Sequence, residues 1–267
     1  MTHLAKFGSI DQTQDAGYFI RFLDEATAQP SLQAYKQRLT ELLALQPGGH
    51  VLDVGCGTGD DARVMATRVG RTGRVVGVDN SEAMIAEARR RAEAESLAID
   101  YRVVNAMQLP FDDESFDATR ADRSLMHVPD ARQVLSEMQR VTKTGGRVGV
   151  FEVDFETLTI DADDRVLARK ISHTWCDGFK NGWLGRRMPR LFAELGLCEV
   201  RVTPYVMILT PGMLLPLLGS ATTELAVEKG VVTRAEAHAW LAHLDELQRT
   251  GRFFSTMTGY LIAGIRA

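Results

Sequence analysis

The chain has 267 residues, 45% of them hydrophobic and 25% charged, with a formal net charge of −4. This size fits one large globular domain or a domain with a substantial cap, and the slight acidity gives no electrostatic reason to expect nucleic acid or an anionic membrane as partner. No apolar run approaches the roughly 20 residues of a membrane span, the first residues (MTHLAKFGSIDQTQD) lack the apolar core of a signal peptide, and Cys56, Cys176 and Cys198 form neither a disulfide framework nor a zinc pair, so a cytoplasmic setting is expected.

Residues 1–30 are mixed polar and aromatic, with Tyr18, Phe19 and Phe22 close together. Pro30 opens a helical pattern in which Leu32, Tyr35, Leu39, Leu42 and Leu43 recur at helical steps, and Pro47-Gly48-Gly49 ends it. Residues 1–46 thus read as a helical lid. Strands and helices alternate from there. Strand-like runs cover 50–54, 74–79, 99–104, 116–121 and 146–153; helical runs cover about 60–69, 81–95 and 130–142. Such alternation implies right-handed βαβ units and a mostly parallel sheet with helices on both faces. In these sheets ligands sit beyond the carboxyl ends of the strands.

After Asp154 the pattern changes. A helix near 163–179 carries Ile171, Trp175 and Phe179, a loop follows through Trp183, and a short helix spans 187–195. Residues 197–209 read as a strand, 211–229 and 233–249 as a helical pair, and GYLIAGIRA as the last strand. The expectation is an α/β chain forming one domain over 1–267: a Rossmann-like seven-stranded sheet, with a core at 47–155, substrate-side helices over 156–250 and the last strand in 251–267.

The most informative stretch is VLDVGCGTGDD at 51–61. It places an acid, Asp53, at a strand end, then Gly55, Gly57 and Gly59 in a tight turn, then a helix start. A dinucleotide pyrophosphate over that turn would be repelled by the carboxylate; a cationic ligand is attracted. The spacing is also Gly-x-Gly-x-Gly rather than the dinucleotide pattern, which argues against an NAD-dependent oxidoreductase. Asp79 ends the second strand and offers two oxygens to ribose hydroxyls, while Ser81 is placed to cap the next helix.

Four segments together resemble the class I S-adenosylmethionine (SAM)-dependent methyltransferases, in particular the small-molecule group that includes quinone and natural-product methyltransferases: VLDVGCGTGDDA, VVGVDNSEAMIAEAR, NAMQLPFDDESFDA and MQRVTKTGGRVGVFE. The resemblance covers residues 45–155 well and the rest loosely. It implies SAM as cofactor, with Asp53 near the methionine ammonium, Gly55 and Gly57 allowing close backbone approach, Asp79 on the ribose, and Met84 or Asn80 near the adenine. Asn105, where the family usually has Asp, and Ala106 would form the adenine-edge loop. Arg123 would face the methionine carboxylate or pair with Asp122.

Methyl transfer needs orientation and exclusion of water more than a catalytic triad. A base is required when the nucleophile must lose a proton. His127, in RSLMHVPD after the fourth strand, is the first candidate, and Asp154 and Glu152 at the end of the fifth strand are the next. Tyr18, Phe22, Trp175 and Trp183 are the candidate substrate walls, with Phe19, Phe179 and Tyr205 as further aromatics. Arg89, Arg90 and Arg91 read as a solvated helix face. The expected function is methyl transfer to a small, partly aromatic or apolar acceptor, O-methylation ahead of C- or N-methylation. The alternative is a SAM-fold protein that uses SAM structurally or electrostatically in a cyclase-like reaction, or only binds it. A small-molecule partner and no nucleic acid or membrane span are expected; the sequence leaves a homodimer open.

Overall fold

The computed structural model describes residues 3–13 and 15–267. One seven-stranded sheet runs through it in the order β3-β2-β1-β4-β5-β7-β6. The first five strands are β1 (His50–Val54), β2 (Arg74–Asp79), β3 (Asp100–Val103), β4 (Phe116–Asp122) and β5 (Thr142–Ile160). They pair in parallel, whereas β7 (Ser255–Arg266) lies antiparallel between β5 and β6 (Leu197–Ile208).

Parallel strands covered on both faces read as continuous apolar runs, and alternation then decides which residue meets which layer. Val51, Val75 and Ala118 pack with Met65 and Val69 of α3 (Asp60–Val69) and Ile85, Ala88 and Ala92 of α4 (Glu82–Ala94). Leu52, Val54, Val76 and Val150 face the opposite layer with Val134, Leu135 and Met138 of α5 (Ala131–Val141). The glycine turn after β1 and the ends of β2, β4 and β5 therefore open on one edge of the sheet.

Two helices stand ahead of the sheet, α1 (Ala16–Thr27) and α2 (Pro30–Leu42), preceded by a 3-10 segment, His3–Gln12. Asp15 caps α1 by accepting from Tyr18 N. Beyond β5 come α6 (Arg165–Cys176) and α7 (Leu184–Glu194), then α8 (Pro211–Leu218), α9 (Ser220–Glu228) and α10 (Arg234–Arg249). The stretch expected as one helix over 211–229 is two: the chain turns at Gly219, where a methyl group would lie 2.5 Å from Leu215 O. The fifth strand is longer than its apolar stretch because its antiparallel ladder with β7 continues to Ile160↔Ser255. No helix among the described residues is long and apolar enough to cross a membrane.

The sheet is tightest where β7 passes Phe151. A methyl group on Gly259 would come 2.2 Å from Phe151 Cζ, and that ring is itself stacked on Tyr35 at 3.8 Å. Gly259→Ala is therefore expected to destabilise the fold by about 1–3 kcal/mol through overpacking. Urea unfolding checks this; a variant as stable as the parent would contradict the packing described.

Candidate functional site

A cavity of about 870 Å³ opens at the carboxyl edge of the sheet. Its upper half is built around the turn after β1. Gly55 and Gly57 have φ of +72° and +51°, and a methyl group on Gly55 would lie 2.3 Å from Ser124 Cβ. Gly55 N and Cys56 N donate to Val78 O at 2.8 and 2.9 Å. Asp79 accepts from Gly57 N at 2.9 Å and from Ser81 N at 3.0 Å. Burial raises its carboxyl above the ordinary range, against the lowering effect of those N–H groups.

The residues expected on the adenosine side all line this cavity: Asp79, Asn80, Met84, Asn105 and Ala106. Asn80 donates to Gly8 O at 3.1 Å, and Met84 is buried with Ile10 and Phe19. Asn105 Oδ1 accepts from Met107 N at 3.0 Å, which leaves the oxygen its second lone pair. Asp11 clamps the N-terminal segment onto the start of α4, accepting from Ser81 Oγ at 2.6 Å and Glu82 N at 2.7 Å.

The floor below the turn is charged. Asp53 is 2% exposed. Burial first, then the neighbouring Asp61 and Asp122, push its carboxyl up to about 7, against the pull of Arg120 and Lys36. Lys36 ion-pairs with Asp61 and, at 2.9 Å, with Asp122. Arg123 reaches Asp122 Oδ1 at 3.3 Å and lies 5.9 Å over the Tyr35 ring, while still lining the cavity. Of this cluster the sequence reading singled out Asp53 and Arg123. Lys36 was legible as a cation on the apolar face of α2, four residues after Leu32 and three before Leu39.

His127 follows β4 in a one-turn 3-10 segment, Leu125–His127, and lines the cavity. Its ring stacks on Phe7 with centroids 5.5 Å apart. Burial, then Arg123, lower its pKa to about 4, so the imidazole is neutral at physiological pH. Glu152 is fully buried and accepts from Leu125 N of the same 3-10 segment at 2.7 Å, and burial pushes its carboxyl up to about 8. Asp154 is not brought to the cavity. It is 0% exposed and held by Arg186 through Nε and, at 2.9 Å, Nη2. His173 lies 3.8 Å from Glu156.

The aromatic candidates divide. Tyr18 and Phe22 of α1 line the cavity, and so do Trp175 and Phe179, which pack with Phe155 at 4.8 and 4.2 Å. Trp183 lies outside it, 48% exposed beneath the Arg186 guanidinium. Tyr205 turns its hydroxyl to Ser31 O. Arg91 is not on a solvated face: it bridges Asp24 of α1 at 2.7 Å and Glu87 of its own helix.

These features fit SAM. A glycine cradle, an acceptor-only carboxylate beside it and paired charges below match adenosine, ribose and a zwitterionic arm. The volume sits in the upper part of the roughly 300–1,000 Å³ range of ligand pockets, which leaves room beside the cofactor for a second molecule. No group of three or more His, Cys, Asp or Glu among the described residues is placed to hold a metal ion.

Comparison with known proteins agrees with this geometry. A family model for a methyltransferase domain matches residues 51–146. An uncharacterised 37.1 kDa protein of transposon TN4556 from Streptomyces fradiae is 34% identical over 91% of this chain and 70% of its own. Demethylmenaquinone methyltransferase of Halalkalibacterium halodurans is 33% identical over 65% of this chain and 77% of its own. Among solved structures, the cyclase SpnF shares the fold with a TM-score of 0.57 and 22% identity, over 88% of this chain and 81% of that one.

Asp79 makes two hydrogen bonds as an ionisable acceptor, each worth roughly 1.5–3 kcal/mol when charged. Replacing it with alanine is expected to weaken binding of S-adenosylhomocysteine at least about tenfold. Calorimetric titration reads this directly, and an unchanged affinity would remove Asp79 from the ribose.

Proposed function

Since this chain belongs to the class I SAM-dependent methyltransferases that act on small molecules, we propose that it methylates a small, partly aromatic or apolar acceptor, with an oxygen nucleophile favoured over carbon or nitrogen. The observation that carries this reading is the division of the cavity. One half is the glycine turn and its ionised floor. The other is walled by Val153, Phe155, Trp175, Phe179, Met207 and Met257, with no charged side chain among them. A wall of that kind favours a neutral, apolar molecule, because a charge placed against it would lose hydration without gaining a partner.

Bound SAM supplies a methyl group on a sulfonium sulfur, which leaves as the thioether S-adenosylhomocysteine once the acceptor's lone pair forms the new bond. The chain's residues orient, desolvate and move one proton. The apolar wall and the rings of Phe7 and Phe22 hold water away from the acceptor. Neutral His127, which lines the cavity, takes the proton from the acceptor hydroxyl. With its pKa lowered to about 4 it is a weak base. That suffices for a phenol- or enol-like hydroxyl, whose acidity climbs steeply as the oxygen is alkylated, and it suits an amine or an unactivated carbon less well.

A second reading follows from the likeness to SpnF, whose name marks it as a cyclase: SAM bound but not consumed. Incubation with SAM and a panel of phenols, quinols and amines separates the two. The methyltransferase reading expects S-adenosylhomocysteine and methylated product in equal amounts. Conversion of an acceptor-like molecule with SAM intact would replace it by the second. With an oxygen acceptor, His127→Ala is expected to lower kcat by about 10²–10⁴-fold with little change in SAM affinity. A variant with full kcat would leave His127 only its packing against Phe7.

A further inference from the structure

Arg120 stands in β4, 0% exposed, between the buried Thr119 and Ala121. In register it neighbours Asp53 of β1, so the two side chains leave the sheet on the same face. Its Nη1 lies 2.9 Å from Asp61 Oδ2 and 3.6 Å from Asp53 Oδ1, and its Nη2 lies 3.2 Å from Asp122 Oδ2. Arg120 does not line the cavity, but all three carboxylates do. Its Nε and Nη1 have no hydrogen bond of good geometry. The guanidinium is therefore held by charge among several acids rather than by a bidentate fit to one.

A well-packed apolar side chain is often at least as stabilising at such a position as a buried ion cluster. The charge at 120 therefore calls for an explanation beyond folding. We propose that Arg120 is a positioning residue for the amino-acid arm of the cofactor: from behind the cavity wall it gathers Asp53, Asp61 and Asp122 and favours their charged forms, so that a zwitterionic arm meets carboxylates, Lys36 and Arg123. This rests on seating the cofactor over the glycine turn.

The charge count supports it. Three carboxylates face three cations, Arg120, Lys36 and Arg123, a balance that suits a ligand arm carrying one ammonium and one carboxylate. Asp53 is faced by Arg120 and Asp122 from β4, Asp61 from α3, Lys36 from α2, and more distantly by the Cys56 thiol and the Tyr101 phenol. Burial holds the thiol and the phenol above their ordinary ranges, so neither titrates near neutrality. With Arg120 in place the Asp53 carboxyl is already up to about 7. Its charge is present above that pH and lost as pH falls through it; without Arg120 the loss moves to higher pH.

The test compares two ligands on the whole chain by calorimetry. S-adenosylhomocysteine has the amino-acid arm; 5′-methylthioadenosine keeps the nucleoside and sulfur without it. In Arg120→Met at neutral pH, S-adenosylhomocysteine is expected to bind at least about tenfold more weakly, with 5′-methylthioadenosine unchanged within about twofold. Arg120→Lys restores part of the loss. In the unaltered protein, affinity for S-adenosylhomocysteine is expected to fall several-fold between about pH 8 and pH 6, without a matching fall for 5′-methylthioadenosine. Equal losses for both ligands, or none, would reduce Arg120 to a structural ion. Should Arg120→Met not fold, Arg120→Lys and the pH series decide, and wild-type behaviour in the first with a flat series in the second overturns the proposal. If neither ligand binds the unaltered protein, the seating of the cofactor fails before the role of Arg120 is reached.

Discussion

A single carboxylate joins the parts of the site. Asp79 accepts from Gly57 N and Ser81 N, so the turn leaving β1 and the start of α4 end on the same side chain. Both turns would otherwise leave buried N–H groups without partners. The arrangement reaches further through its neighbours. Asn80 donates to Gly8 O, and Ser81 Oγ and Glu82 N donate to Asp11. The N-terminal segment is thus fastened to the same helix start that fixes the glycine turn.

That anchoring explains how a charged floor and an apolar wall coexist in one cavity. Ion pairs strengthen as water is removed, and the N-terminal segment covers the site: Leu23 of α1 lies over Gly57, where an added methyl group would meet it at 3.3 Å, and Phe7 stacks on His127. The same desolvation that raises the Asp53 carboxyl lowers the His127 imidazole. The Asp53 carboxyl is thus brought near neutral pH and the His127 imidazole is kept uncharged, so a polar floor and a neutral imidazole line one cavity.

The cofactor half was legible in the sequence because its chemistry is local. β1, β2 and α3 begin and end where the apolar runs and glycines place them, at His50–Val54, Arg74–Asp79 and Asp60–Val69. Asp53, Gly55, Gly57 and Asp79 meet in space because parallel strands open at one edge. Contacts between distant segments were not legible. Alternation put Asp154 on the same face as Glu152, but nothing in the pattern announces that Arg186, 32 residues away, closes over it. Arg91 sits in a run of three arginines that reads as solvated, yet the lid's Asp24 covers it. For Lys36 and Arg120 the signal was present, a cation on an apolar helix face and another inside a strand, but a lone charge in such a place does not name its partners.

The apolar half of the cavity resists reading for a different reason. Its wall draws on Val153 and Phe155 of β5, Trp175 of α6, Phe179 just beyond, Met207 of β6 and Met257 of β7. Each of these side chains obeys the same pattern as an ordinary core residue, and all are at least nine-tenths buried. What separates wall from core is that the elements carrying them stop short of closing on one another, and that spacing is set by loop lengths and helix packing rather than by any residue type. Methionine, unbranched and polarisable, adapts to whatever fills the gap. The apolar half is therefore defined by volume and shape, while the half around the glycine turn is defined by charges and glycines, and a motif can carry only the second.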